Sequence, residues 1–387
     1  MLKRRKLSII LLIIILMPVG MWLFWLFTPK TKMVTAIIDK TVLTTKGQEH
    51  ISLTWILNHE KYTKTSTKSY KIAHDYFGFF PLDSGKFRLK GLERFSSEQL
   101  KQLSNDADMV YFTDTYGIYK NEWYAQTENL ERSGLLYGGM SRQDIELLKL
   151  MKTKRKLIVT EFNSIGSPTQ KETRSEFEKL FAMRWTGWTG RYFESFDTLR
   201  NKELPKWLIN NYKRDHNNKW PFSKSGIAFV SNNDQVVILE DSTHLSNPLP
   251  HITSNNYAQE KLDLPEKIKY SFWFDVISPD LKVNQQLASF NIETNALGKK
   301  ELNKYGIPTT FPAVLMHKGA DYRFYYFSGD FCDNSIGMAS SFFKGITFFK
   351  WLFYNTTDPM ERSSFFWNFY QPMMTNILEQ EKDFKKQ

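Results

Sequence analysis

From Leu7 to Thr28 the chain runs 22 residues without a charged side chain, directly after the basic block Lys3-Arg4-Arg5-Lys6. A bilayer core takes about 20 apolar residues as a helix. The run ends in Trp22, Phe24, Trp25 and Phe27, residue types that settle at a membrane–water interface. A cleavable signal has a shorter apolar core, of about 7–15 residues, with a small-x-small site behind it. No Ala-x-Ala follows this run. The sequence therefore predicts a basic cytoplasmic tail over 1–6 and an uncleaved transmembrane anchor over 7–28. The bulk of the chain, 33–387, is expected outside the cytoplasmic (inner) membrane as an extracytoplasmic domain. A long signal peptide is the alternative reading of the same run.

That end also carries most of the charge. The formal net charge is +11, and residues 1–32 hold six basic residues and no acid, which leaves +5 over the remaining 355. So mild an excess gives no reason to expect nucleic acid as a partner. With 41% hydrophobic and 24% charged residues, the chain as a whole reads as folded rather than disordered. The single cysteine, Cys332, excludes an internal disulfide and a Cys-based zinc cluster. The seven histidines lack His-Glu-x-x-His spacing, and no Walker sequence or helix-opening Gly-x-Gly-x-x-Gly is present. No metal site and no cofactor are expected.

Strand-like and helical stretches alternate from residue 34 onward. VTAIIDKTVL (34–43), Tyr70 to Phe80, ADMVYFTDTYGIY (107–119) and KLIVTEF (156–162) read as strands. Between them, His50 to His59, SSEQLKQL, SRQDIELLKLM and Thr169 to Phe181 read as helices; Ser141 caps one of them, with Asp144 three residues on. Later strands follow at 226–230, 235–240, 311–317 and 322–328, and aromatic helices at 338–380 end the chain. This alternation predicts an α/β fold with a mostly parallel sheet flanked by helices. Residues 200–310 are the most loop-like and stand as a candidate insertion on that sheet.

The order of VTAIID, ADMVYFTD, SRQDIELLKL and KLIVTEF, with the late PAVLMHKGADYRFYYFSGDF and a terminal helix, resembles the class I glutamine amidotransferase-like superfamily. It looks closest to the non-amidotransferase members found beside carbohydrate enzymes. The resemblance implies a flavodoxin-type α/β fold. It also implies a nucleophilic Cys on the turn after KLIVTEF and a His near the late strand pair. Here that turn is Glu161-Phe162-Asn163, and FSGDF carries Asp330 and no His. A member without the Cys–His pair is implied, so triad chemistry is not expected.

Ligands of open α/β sheets bind at the carboxyl ends of the strands. Asp39, Asp75, Asp114, Glu161 and Asp330 all follow strand-like runs. Asp114, Glu161 and Asp75 are the candidate catalytic residues, and Asp114 with Glu161 is the preferred pair for glycoside chemistry. The alternative is that such carboxylates cap helices or hold loops. The densest local signal is RWTGWTGRYF at 184–193. Trp185 and Trp188 can stack on sugar rings, and Arg184 and Arg191 can grip acidic groups. With Asp330 they form the candidate ligand-binding set, for an acidic or amino-bearing glycan. The alternative is that both Trp pack inside and the Arg pair with Glu176 or Glu178.

The resulting expectation is a membrane-anchored, non-catalytic domain that binds glycan or partner proteins in bacterial envelope or exopolysaccharide assembly. Two alternatives stand beside it. One is a carboxylate-based enzyme acting on envelope polysaccharide. The other is a structural subunit that docks through its aromatic C-terminal helices.

Overall fold

The computed structural model describes residues 2–45, 48–125 and 133–384, and in the first helix the side chains at Leu12 and from Ile15 onward. That helix, α1 (Leu2–Phe27), contains Pro18. Strand β1 (Thr35–Asp39) is buried at every position, as a strand covered on both faces must be. The chain crosses through α2 (Ile51–His59) to β2 (Phe77–Pro81) and folds back into β3 (Phe87–Lys90). It then returns through α3 (Ser97–Asp106) to β4 (Met109–Asp114), on the other side of β1. Helix α4 (Arg142–Thr153) leads to β5 (Leu157–Glu161). Both α3 and α4 open with capping boxes, Ser96 with Gln99 and Ser141 with Asp144, so donors left free by each helix start are satisfied reciprocally.

After α5 (Lys171–Phe181) the chain leaves this sheet for the long β6 (Met183–Phe193), α6 (Lys206–Asp215), β7 (Gly226–Ser231) and β8 (Val236–Glu240). It continues through β9 (His251–Ser254), β10 (Lys267–Lys269), β11 (Phe274–Pro279) and β12 (Asn284–Asn291). The last strands are β13 (Thr310–His317) and β14 (Arg323–Phe327). Two short 3-10 segments, Met338–Phe342 and Ile346–Leu352, precede helical turns from Ser363 that end in α7 (Gln371–Phe384).

Ten strands form one sheet in the order β10-β9-β12-β13-β14-β5-β4-β1-β2-β3, and four form a second in the order β8-β7-β6-β11. The α/β class holds, but the large sheet is mixed rather than mostly parallel. Four of its pairings are parallel (β2-β1, β1-β4, β4-β5, β5-β14) and five are antiparallel. A parallel neighbour needs a long crossover, which the early βα units supply, whereas the pairs β2-β3 and β13-β14 are joined by short returns and run antiparallel. Strand pairing is a tertiary choice that the hydrophobic pattern does not reveal. Two apolar layers cover the sheet. Trp55, Phe366 and Trp367 lie in one, and Leu100, Leu148 and Phe177 in the other.

The membrane expectation is corrected. Among the described residues no helix is long and apolar enough to cross a membrane, which removes the support for a single-pass anchor and for an inner-membrane location. One ring of the aromatic end read as an interfacial belt, Trp25, packs on the folded chain, while Phe24 and Phe27 stay exposed. Trp25 Nε1 donates to Asn58 O at 3.0 Å, Lys61 sits 3.5 Å above its ring, and Phe342 meets it edge-on at 4.9 Å.

Candidate functional site

The parallel strands end at one level. Asp39 of β1 is in register with Asp114 of β4, and Glu161 of β5 with Phe327 of β14. This edge and the loops beyond it collect six acids: Asp39, Glu49, Asp114, Glu161, Asp330 and Asp333. The four-stranded sheet covers the edge, and a cavity of about 450 Å³ lies between the two. The strand ends and their loops contribute Glu49, Asp114, Asn163, Asp330, Asp333 and Arg362 to its wall. The opposite wall holds Trp185, Arg191, Asn232, Trp207 and Trp273.

Asp114 is held by three donors. Thr41 Oγ1 donates to Oδ1 at 2.7 Å, the Tyr116 backbone N–H at 2.5 Å, and Asn163 Nδ2 donates to Oδ2 at 3.3 Å. Burial nevertheless outweighs these bonds and pushes its carboxyl up to about 8, helped by the charge of Asp330. Asp330 itself is pushed up by burial to about 6, against the pull of Arg362. That guanidinium donates to Asp330 Oδ2 at 2.9 Å, to Asp330 O at 3.0 Å and to Asp333 Oδ2 at 2.7 Å. The carboxyl of Glu49 is raised by burial and then by Asp333 and Asp330. One oxygen each from Glu49, Asp330 and Asp333 lie within 4.8 Å of one another, a spacing that suits a single cation. Arg362 already supplies positive charge to two of them.

Glu161 does not face the cavity. It is buried behind it, where Tyr111 Oη donates to Oε2 at 3.2 Å and itself meets Tyr370 Oη at 2.9 Å. Cys332 belongs to the same buried network through Tyr370, and burial pushes its thiol up, followed by the charge of Glu161. Asp75 lies apart. Lys64 pairs with it at 2.6 Å and the Lys71 N–H donates to it at 2.6 Å, so it holds a turn.

The RWTGWTGRYF segment is strand β6, not a loop. A register shift between Trp185 and Thr189, with Gly187 at φ 90°, bends it across the cavity. Trp185 and Trp188 consequently join different cores. Trp185 lines the cavity, its Nε1 donating to Trp188 O at 2.9 Å, whereas Trp188 packs edge-on against Tyr305. Arg191 lines the cavity and pairs with Glu203 at 2.8 Å. Arg184 is exposed on the far end of the strand, near Glu178. Of the eight residues singled out from sequence, the cavity brings together Asp114, Trp185, Arg191 and Asp330.

The sequence reasoning missed Glu49, Asp333, Arg362, Trp207 and Trp273. The spacing Asp330-Phe331-Cys332-Asp333 was visible, but Arg362 and Glu49 arrive from distant loops. It also missed a second buried carboxyl, Asp275, pushed up by burial to about 7 although Tyr326 Oη and Thr189 Oγ1 each donate to it at 3.0 Å. Asp39 is likewise engaged at depth, with its Oδ2 2.7 Å from His50 Nδ1, while His50 Nε2 lies 2.9 Å from Ile72 O.

No family model matches the chain, and no curated protein matches it in sequence. Solved structures do. A putative ThuA-like protein from Bacteroides uniformis ATCC 8492 is 12% identical over 80% of this chain and 87% of its own, with a TM-score of 0.34. A beta-galactosidase from Bacillus circulans sp. alkalophilus is 10% identical over 62% of this chain, with a TM-score of 0.28. A carbohydrate deacetylase is 6% identical over 77% of this chain, with a TM-score of 0.32. The chain spans only 22% of that galactosidase and 29% of that deacetylase. These are limited likenesses, and none of them assigns an activity.

Proposed function

We propose that the cavity is a carbohydrate site at which two carboxyl groups of opposite protonation act on one bound sugar. The observation that carries this reading is Asp114 and Asp330 on one cavity wall, pushed up to about 8 and about 6. Between those values the first holds its proton and the second does not, the division of labour of a general acid and a general base. In hydrolysis of a glycosidic bond, Asp114 gives its proton to the leaving oxygen, and Asp330 takes one from the attacking water. Trp185, Trp207 and Trp273 offer apolar faces to a sugar ring, and Asn163 and Asn232 offer amides to its hydroxyls. The sequence resemblance to amidotransferase-like proteins without the Cys–His pair fits a carboxyl chemistry, since the only thiol is fully buried.

A second reading, glycan binding without turnover, is favoured by one feature. Arg362 holds both Asp330 and Asp333, which engages the proposed base. Calorimetry against an oligosaccharide panel, paired with reducing-end release across pH 5–9, separates the two. The acid–base reading expects turnover that peaks near pH 7 and falls by at least about a hundredfold in Asp114→Asn. Unchanged turnover in that variant refutes it. Binding without turnover in the wild type leaves the second reading, and no binding by any glycan removes both.

A further inference from the structure

The described part of α1 packs against the segment 338–353. Met21 O accepts from the Lys344 N–H at 3.1 Å, and the Trp25 ring meets Phe342 at 4.9 Å. Large apolar side chains point outward from both pieces. Phe348 is 83% exposed, Trp351 63%, Phe24 75% and Phe27 78%. Leu352 and Phe353 are exposed beside them, and Leu23 and Leu26 extend the face along α1. Gly345, at φ 83°, turns the chain at Lys344, and Phe353 is pinned against Trp367 at 5.6 Å. A soluble surface rarely leaves so many aromatics uncovered, and such patches mark contact sites.

The charge around the patch selects the partner. Neither residues 1–38 nor residues 334–357 contain an acidic side chain. Lys30, Lys32 and Lys350 flank the aromatics, while Lys344 pairs with Glu60 at 2.6 Å. A second copy would bring one basic rim against another, so like charges oppose self-pairing. An aromatic tip with a basic collar instead matches a negatively charged lipid surface, where rings enter the headgroup layer and lysines meet phosphates. We propose that this face, led by Phe348 and Trp351, docks on an anionic lipid surface. No helix need cross the bilayer for this, because the side chains reach only the interface. The proposal is independent of the carbohydrate reading, since the cavity and this face share no residue.

The test uses the full chain and vesicles of phosphatidylcholine with or without phosphatidylglycerol. An environment-sensitive fluorophore is attached at Phe348→Cys, and Cys332 is buried and does not compete for the label. The same label at Leu199→Cys, an exposed position in another part of the chain, is the reference. With phosphatidylglycerol vesicles, emission at 348 shifts to the blue and is quenched by brominated acyl chains, while emission at 199 does not change. Trp351→Ser lowers vesicle partitioning by about tenfold or more, and raised salt weakens it further. A label at 348 that stays in water while the chain is vesicle-bound overturns the proposal. So does a blue shift without vesicles that grows with protein concentration, which would make the partner a second copy.

Discussion

Replacing Asp114 with Asn removes a titration that the fold resists. The Asp114 carboxyl moves from an ordinary 3.8 to about 8 on folding. Across that window the folded state holds a proton that the unfolded chain releases, so stability falls as pH rises, by up to about 1.4 kcal/mol per pH unit. Stability is complete below pH about 4, and the cumulative loss above pH about 8 is on the order of 5 kcal/mol at most. The amide of Asp114→Asn cannot titrate. It keeps an oxygen for Thr41 and the Tyr116 N–H, and the Asn163 amide turns to accept from its NH₂. At pH 4.5 the variant should therefore lie within about 1 kcal/mol of the wild type. At pH 8.5 it should be the more stable protein by at least about 2 kcal/mol. Urea unfolding of both proteins at intervals between about pH 4.5 and 9 reads this directly, as a stability difference that grows with pH. A difference that stays flat across the window refutes the assignment of a proton to Asp114. If the carbohydrate reading also holds, the same variant is more stable and inactive at neutral pH, a trade-off expected where a site is built against stability.

Arg362→Met strips the shared cation from Asp330 and Asp333 and should cost about 3–5 kcal/mol at pH 8, the usual result of breaking a buried pair. The loss should shrink as pH falls through about 6, where Asp330 gains its proton, and equal losses at pH 5 and pH 8 in denaturation would contradict the charge argument. Gly78→Ala should abolish folded yield, because a Cβ there would sit 1.7 Å from Asp39 O, at a φ of 150° that other residues avoid. A melting temperature near that of the wild type would show that β2 can move away from β1.

Much of the local structure was legible because local rules write it. The buried runs at Thr35–Asp39 and Leu157–Glu161, the helix at Ile51–His59 and the Ser141–Asp144 box follow from periodicity and capping chemistry. The strand-end rule also placed Asp114 and Asp330 at the right edge of the sheet. Elsewhere the same rules ran out. Glu161 occupies the expected strand end but faces Tyr111 beneath the cavity, because side chains alternate across a strand and sequence does not say which face is open. Trp185 and Trp188 read as one pair, yet the bulge at Gly187 separates them.

By itself, the sequence determined the α/β class and the alternation of its early strands and helices, because these depend on residue type and short-range spacing. Only the tertiary structure decided that half the sheet runs antiparallel, that Trp25 of α1 packs against Asn58 and Phe342, that Cys332 is buried, and that Glu49, Arg362 and Trp273 join Asp114 at one cavity. Those outcomes rest on contacts between residues up to about 300 positions apart, whose energies come from burial and charge pairing that no local pattern encodes.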